Sequence, residues 1–229
     1  FISMASHQLR TPLTAMRLAL SEFLDHVGDP LDAARMELLE GAKQYSADMA
    51  VTIDTMLSAL NIEEGKVVLD NERVPLAGLC EKLRDSFMLE CRRRRQKFEF
   101  RCTPEACVVA DPRLLEQVLR TLLSNAIKYT PDDGCVSLLV EEQNGRTSVQ
   151  VRDTGIGIPP EHHKNIFEKF FRADNAVRMR TDGTGLGLYI AHALVGLMGG
   201  SLKYVPQKPA KAGTTFEISL PSVGPSCNA

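Results

Sequence analysis

The sequence contains no tryptophan, no C-x-x-C pair, no signal-peptide pattern and no apolar run near the ~20 residues that a membrane-crossing helix needs. Without paired cysteines the common structural zinc sites are excluded. The six cysteines (Cys80, Cys91, Cys102, Cys107, Cys135, Cys227) then read as reduced thiols rather than as a disulfide framework. An excess of charge is also missing. The 27 Lys and Arg residues face 29 Asp and Glu, and a net charge of −2 gives no global attraction to nucleic acid or anionic lipid. Neither is expected as a partner of this stretch. What remains is an ordinary globular mix, 44% hydrophobic and 24% charged over 229 residues, enough for one or two domains with an expected cytoplasmic location.

The first third is patterned as two helices. Apolar positions run Ile2, Leu9, Leu13, Met16, Leu20, Phe23, Val27, close to the 3.5-residue repeat of a coiled-coil seam. Gly28-Asp29-Pro30 breaks the run, because Pro cannot continue a helix. A second run follows at Leu31, Leu38, Tyr45, Met49, Thr52 or Ile53, Met56 and Leu60, and stops at Gly65. So tight a break predicts an antiparallel hairpin. One hairpin cannot enclose both seams, so a homodimer through residues 1–64, closing a four-helix bundle, is expected. A helical pair packed on the rest of the chain is the alternative. The sequence opens on Phe1, already inside the repeat, and reads as part of a longer protein.

His7 points away from that seam, about 200° from Leu9 at 100° per residue. Thr11 shares its outward face, and Pro12 predicts a local kink. The segment Ser6-His7-Gln8-Leu9-Arg10-Thr11-Pro12-Leu13-Thr14 resembles the phosphoacceptor box of sensor histidine kinases of two-component signalling. The resemblance implies that His7 takes the γ-phosphate of ATP and passes it to an aspartate in the receiver domain of a response regulator. In that family the residue after the histidine is normally Glu or Asp, which accepts the Nδ1 proton. Here Gln8 stands instead; its amide oxygen can hold the tautomer but supplies no negative charge, and slowed autophosphorylation is expected. Thr11 occupies the position at which family members orient water for regulator dephosphorylation.

After Gly65 the pattern changes. Lys66–Asp70 reads as a short strand, Pro75 opens a helical stretch ending in Cys91-Arg92-Arg93-Arg94-Arg95, and Phe98–Arg101 and Val108–Ala110 read as strands. The arginine run fits a solvated helix end, or a contact to phosphates or lipid. Asp111-Pro112 starts a helix through Leu114–Lys128. Val136–Glu142 and Thr147–Arg152 flank the hairpin signal Asn144-Gly145, and Thr214–Leu220 is a final strand. Helices with a mainly antiparallel sheet predict an α+β sandwich.

Three motifs lie in this region. Asp153-Thr154-Gly155-Ile156-Gly157 sets a carboxylate at a strand end before two glycines. Gly183-Thr184-Gly185-Leu186-Gly187 precedes the helical run Tyr189–Leu197, where unhindered amides suit phosphates. Asn125 and Lys128 share a helix face, offering an amide oxygen to Mg2+ and an ammonium to phosphate. Between the glycine motifs a long connection carries Phe167, Phe170, Phe171 and Arg172 and reads as a functional loop.

In this order the set resembles the catalytic domain shared by histidine kinases, gyrase-type topoisomerases, Hsp90 and MutL, the Bergerat fold. The resemblance divides the chain into a dimerisation and phosphotransfer domain (1–66) and an ATP-binding catalytic domain (67–229). It implies that Asp153 accepts the adenine amino proton beside Gly155 and Gly157. It further implies that Asn125 ligates Mg2+, that Lys128 and Tyr129 lie near phosphates and ribose, and that Gly183, Gly185, Leu186 and Gly187 flank the triphosphate. Phe170 and Arg172 fall in the lid, with Arg172 a candidate γ-phosphate contact. Many such kinases carry a second Asn where this chain has Thr121, whose hydroxyl is expected to face the metal's water shell. Two rivals to a kinase stay open: a scaffolding pseudokinase, and an ATP-hydrolysing clamp.

Overall fold

In a computed structural model, residues 33–143, 145–180, 183–206 and 213–223 are described, together with Thr14, Met16, Leu18, Leu20 and Ser21. The expectations for His7, Gln8, Thr11, Pro12 and the break at Gly28–Pro30 lie outside those residues. The chain divides into two units between Lys66 and Val67.

In the first unit, α1 (Ala33–Glu63) runs 31 residues. It ends in a Schellman motif: the Gly65 N–H donates to Ile62 O and the Lys66 N–H to Asn61 O, with Gly65 at φ +63°. Of the expected seam, Ile53 is buried, while Met49 and Met56 are 56% and 41% exposed in the single copy.

In the second unit, a five-stranded sheet of order β2-β4-β5-β7-β6 is built from β2 (Lys97–Cys102), β4 (Cys135–Gln143), β5 (Arg146–Asp153), β6 (Ser201–Tyr204) and β7 (Thr215–Pro221). Among the described residues only β2 with β4 is parallel. A two-stranded ribbon pairs β1 (Glu72–Pro75) with β3 (Cys107–Ala110). Helices α2 (Leu76–Arg93), α3 (Pro112–Tyr129) and α5 (Gly187–Leu197) supply the other layer, and α4 (Asp174–Met179) lies in the long connection.

Helix α3 positions the site. Leu115, Val118, Leu119, Leu122, Leu123, Ala126 and Ile127 recur at helical spacing and are all buried. Its N-cap, Asp111, is fully buried and accepts from the N–H groups of Arg113, Leu114 and Asp70. Burial pushes that carboxyl up, but these bonds and the Arg113 guanidinium outweigh it and hold the pKa below the usual carboxylate value. The other end of α3 is held by the buried Gln96, whose Nε2 donates to Thr130 O at 2.7 Å and Ile127 O at 3.1 Å. Gln96 follows a second Schellman end, that of α2, in which Arg95 takes the left-handed position (φ +55°) and its side chain pairs with Asp132 and Asp133.

The structure corrects two expectations and adds one strand. Lys66–Asp70 is not a strand; pairing with β3 goes to Glu72–Pro75, and Val68 is left 86% exposed. Strand β6 is unforeseen, four residues being too few for a readable alternation. Cys107 is disulfide-bonded, whereas Cys80, Cys91, Cys102 and Cys135 are free as expected. Spatial approach decides such a pairing, and C-x-x-C spacing does not report it.

Candidate functional site

A cavity of about 160 Å³ opens between α3, the turn after β5, and the start of α5. Strand alternation puts Asp153 in it. On β5, Thr147, Val149, Val151 and Asp153 face inward, so the terminal carboxylate falls on the core face. Asp153 Oδ1 accepts from Gly155 N–H at 2.7 Å and Thr214 N–H at 3.1 Å. Burial dominates all the same and raises its pKa to about 6, with the Gly155 and Thr214 hydrogen bonds opposing. Burial and the charge on Asp153 in turn push the Tyr204 phenol up.

Around this carboxylate the walls are apolar: Ile156, Ile158, Ile166, Phe171 and Phe216. Asn125, Lys128 and Tyr129 come from the last turn of α3, and Gly183, Gly185 and Gly187 from the second glycine motif. Helix α5 has no side-chain cap at its N-terminus. Its first amides are therefore left unclaimed by any capping side chain, and the helix dipole favours an anion there. Helix α3, by contrast, spends its own N-terminal donors on Asp111.

The structure separates the binding positions expected from sequence. Asn125, Lys128, Tyr129, Asp153, Gly157, Arg172, Gly183, Gly185 and Gly187 line the cavity; Gly155, Phe170 and Leu186 do not. Gly155 is buried behind it, where an added Cβ would lie 2.3 Å from Tyr129 O. Leu186 is a core residue, 1% exposed. Phe170 is 65% exposed, with its backbone at φ +61°. Arg172 donates to Arg180 O at 2.6 Å and Gly183 O at 3.3 Å, bonds that brace the connection across α4. The Thr121 hydroxyl, expected to face a metal's water shell, donates to Gln117 O at 2.9 Å, as Thr commonly does within a helix.

Sequence reasoning missed Asn175, Thr214 and Phe216, which the tertiary fold brings to the cavity without a local motif. Gly213 supports this wall. It sits at φ +132°, and a Cβ there would come 2.1 Å from Asp153 O. Gly213→Ala is expected to cost about 3 kcal/mol, read as a lowered urea midpoint with an unchanged slope.

Comparison with known proteins agrees with this geometry. Residues 110–224 match the family described as histidine kinase-, DNA gyrase B-, and HSP90-like ATPase, and residues 1–65 match the His Kinase A (phospho-acceptor) domain. The chain belongs to the sensor histidine kinases. Among its relatives, the circadian input-output histidine kinase CikA of Synechococcus elongatus is 33% identical, over 96% of this chain and 29% of that protein. The phosphate regulon sensor protein PhoR of Pseudomonas aeruginosa is 31% identical over 85% of this chain and 44% of its own length. The signal transduction histidine-protein kinase BarA of Escherichia coli is 29% identical, over 96% and 24%. This histidine kinase chain thus spans between about a quarter and under half of these relatives.

Among solved structures, the mycobacterial sensor histidine kinase MprB is 32% identical and covers 66% of this chain and 98% of its own, with a TM-score of 0.58. Full-length ShkA in complex with AMPPNP shares the fold over 97% of this chain and 45% of its own, with a TM-score of 0.81 at 24% identity. The chain therefore combines a helical region matching the phospho-acceptor domain with an ATPase-type α/β sandwich. No helix among its described residues is long and apolar enough to cross a membrane.

Proposed function

We propose that the unit 67–229 binds ATP in this cavity and donates its γ-phosphoryl group to Nε2 of His7 in the unit 1–66. The observation that carries the reading is one cavity holding both a buried acceptor, Asp153, and a basic, amide-lined end formed by Lys128, Arg172 and the uncapped start of α5. Asp153 accepts from the adenine amino group, with the apolar walls enclosing the base. Lys128, Tyr129 and the glycine amides take the phosphates and ribose, and Arg172 faces the γ-phosphate end.

Among the described residues there is no cluster of three or more His, Cys, Asp or Glu fit for a metal. The donor set suits Mg2+ held mainly by phosphate oxygens, for which one protein oxygen suffices. Asn125, half-buried on the cavity wall, supplies it. When bound, Mg2+ neutralises charge developing on the β- and γ-phosphate oxygens. In the transfer, a P–N bond forms to Nε2 of His7 and the bond to the β-phosphate oxygen breaks, releasing ADP, while Gln8 holds the proton on Nδ1. The phosphoryl group then passes to an aspartate of a response-regulator receiver domain. Thr11 positions water when the same regulator is dephosphorylated. A homodimer through residues 1–64 completes the bundle, and the exposed Met49 and Met56 are the side chains such a seam would cover.

Incubation with γ-labelled ATP and Mg2+ tests the reading. Acid-labile label on the protein, absent in His7→Ala, is the expected result. An unlabelled protein that still binds ATP is a scaffold, the reading that Gln8 and the Thr121 hydroxyl, already bonded within its own helix, favour. Sustained phosphate release without phosphoprotein marks a hydrolytic clamp.

A further inference from the structure

Within the connection between the two glycine motifs, α4 borders the cavity, and among the described residues the Asn175 side chain ties this helix to the turn after β5. Asn175 Nδ2 donates to Gly157 O at 2.9 Å and, at 3.5 Å, to Ile156 O. Its Oδ1 accepts from the Ala176 N–H at 3.0 Å, which fixes the amide with its donor toward the turn. Asn175, Ala176, Ile156 and Gly157 all line the cavity.

Two further facts make this contact a fastening rather than packing. Helix α4 is six residues long and contains no buried residue, whereas α3 opposite is anchored by seven. With no buried side chain, α4 is held by polar contacts, of Asn175 to the turn, of Arg172 to Arg180 O and of Asp174 to His162, and such a wall can move at little cost. The clasped cavity, about 160 Å³, is also well under the roughly 300–1,000 Å³ of sites that enclose a whole drug-sized ligand. It suits the base of a nucleotide, with sugar and phosphates reaching out along the glycine segment. Asn175 and Ala176 of α4 form one wall of the space such a base would occupy.

We propose that Asn175 is the latch of this cavity, a positioning residue whose bond to the Gly157 carbonyl holds α4 closed and gates both admission and release of an adenine nucleotide. The proposal rests on the nucleotide reading of the cavity. It also separates a latch from a direct ligand contact. Removing a contact to the nucleotide speeds release alone, whereas removing a gate speeds passage in both directions and leaves the equilibrium almost unmoved.

The test is stopped-flow binding of ATP carrying a fluorescent ribose substituent to the full chain, in wild type, Asn175→Asp and Asn175→Ala. Asp keeps the acceptor for Ala176 and loses the donor to Gly157; Ala loses both and adds no charge. In both variants association and dissociation rates are expected to rise together, each about fivefold, the weight of one neutral hydrogen bond. Kd should stay within about twofold, and amide exchange across residues 174–179 should quicken. A faster dissociation with unchanged association, or unchanged rates in both variants, overturns the latch. Wild-type protein that binds no ATP analogue removes the nucleotide reading itself, and the latch with it.

Discussion

Asp153→Asn is expected to cost about a hundredfold in adenine-nucleotide affinity while making the ligand-free protein more stable at neutral pH. The two effects share one cause. The Asp153 carboxylate is buried, and its pKa stands at about 6 instead of 3.8. The folded protein therefore holds the proton more tightly than the unfolded chain does between those values. Stability contributed by this group is greatest below pH 4 and falls as pH rises toward 6. Above that the buried charge costs about 3 kcal/mol, from roughly 1.4 kcal/mol per pKa unit. Asparagine carries no charge and keeps an oxygen for the Gly155 and Thr214 N–H groups, so it escapes the cost. On the proposed reading it also places an NH2 against the adenine amino group, donor against donor, and a hydrogen bond to a charged acceptor is lost at about 1.5–3 kcal/mol.

Melting curves from pH 4 to 8 check the first effect: the variant's advantage should be largest above pH 6.5 and vanish near pH 4. Calorimetric titration with ATP checks the second. Wild-type affinity should itself fall about tenfold between pH 7 and 5 as Asp153 takes up its proton. A variant no more stable than wild type at pH 8 would mean that burial is not what raises this carboxyl.

That a strand-end carboxylate would line the cavity was legible in sequence because every part of the signal is local. Alternation through Val149 and Val151 sets the face, and the glycines after Asp153 mark the turn. The same holds for Asn125 and Lys128, three residues apart on a helix whose apolar stripe runs unbroken from Leu115 to Ile127. Asn175 had no such signal, since it sits in a six-residue helix too short to show a period and acts through a carbonyl 18 residues away. Gln96 was equally silent. Its work is to satisfy carbonyls at the end of α3, and that partnership exists only once the turn after α2 has met the C-terminal end of α3. Lys66–Asp70 shows the opposite failure. Val67, Val68 and Leu69 have strand composition, but an edge belongs to whichever segment reaches a partner. The ribbon with β3 took Glu72–Pro75, fastened from beside it by the Asp70 N–H on Asp111. Leu186 and Gly155 were readable as members of a motif yet not as wall or backing, because a motif reports spacing and only the fold reports which side faces the ligand.

Gln8→Glu is expected to raise the rate of His7 labelling by ~10², the lower end of what a positioned general base contributes. For Nε2 to attack phosphorus its lone pair must be free, so the ring proton has to sit on Nδ1. Either residue type can hold it there, because a glutamine oxygen and a carboxylate both accept a hydrogen bond. They differ once the P–N bond begins to form and the ring becomes cationic. A carboxylate stabilises that charge and can take the Nδ1 proton; an amide does neither, and the proton must leave to water. The gain should thus appear in kcat with the KM for ATP unchanged, since on the proposed reading residue 8 acts on the imidazole and not on the nucleotide. Single-turnover labelling at saturating ATP separates the two. The double variant His7→Ala with Gln8→Glu should carry no label, which excludes phosphorylation elsewhere. An unchanged rate constant would mean that the Nδ1 proton already has another acceptor, and that the glutamine at this position costs the kinase nothing.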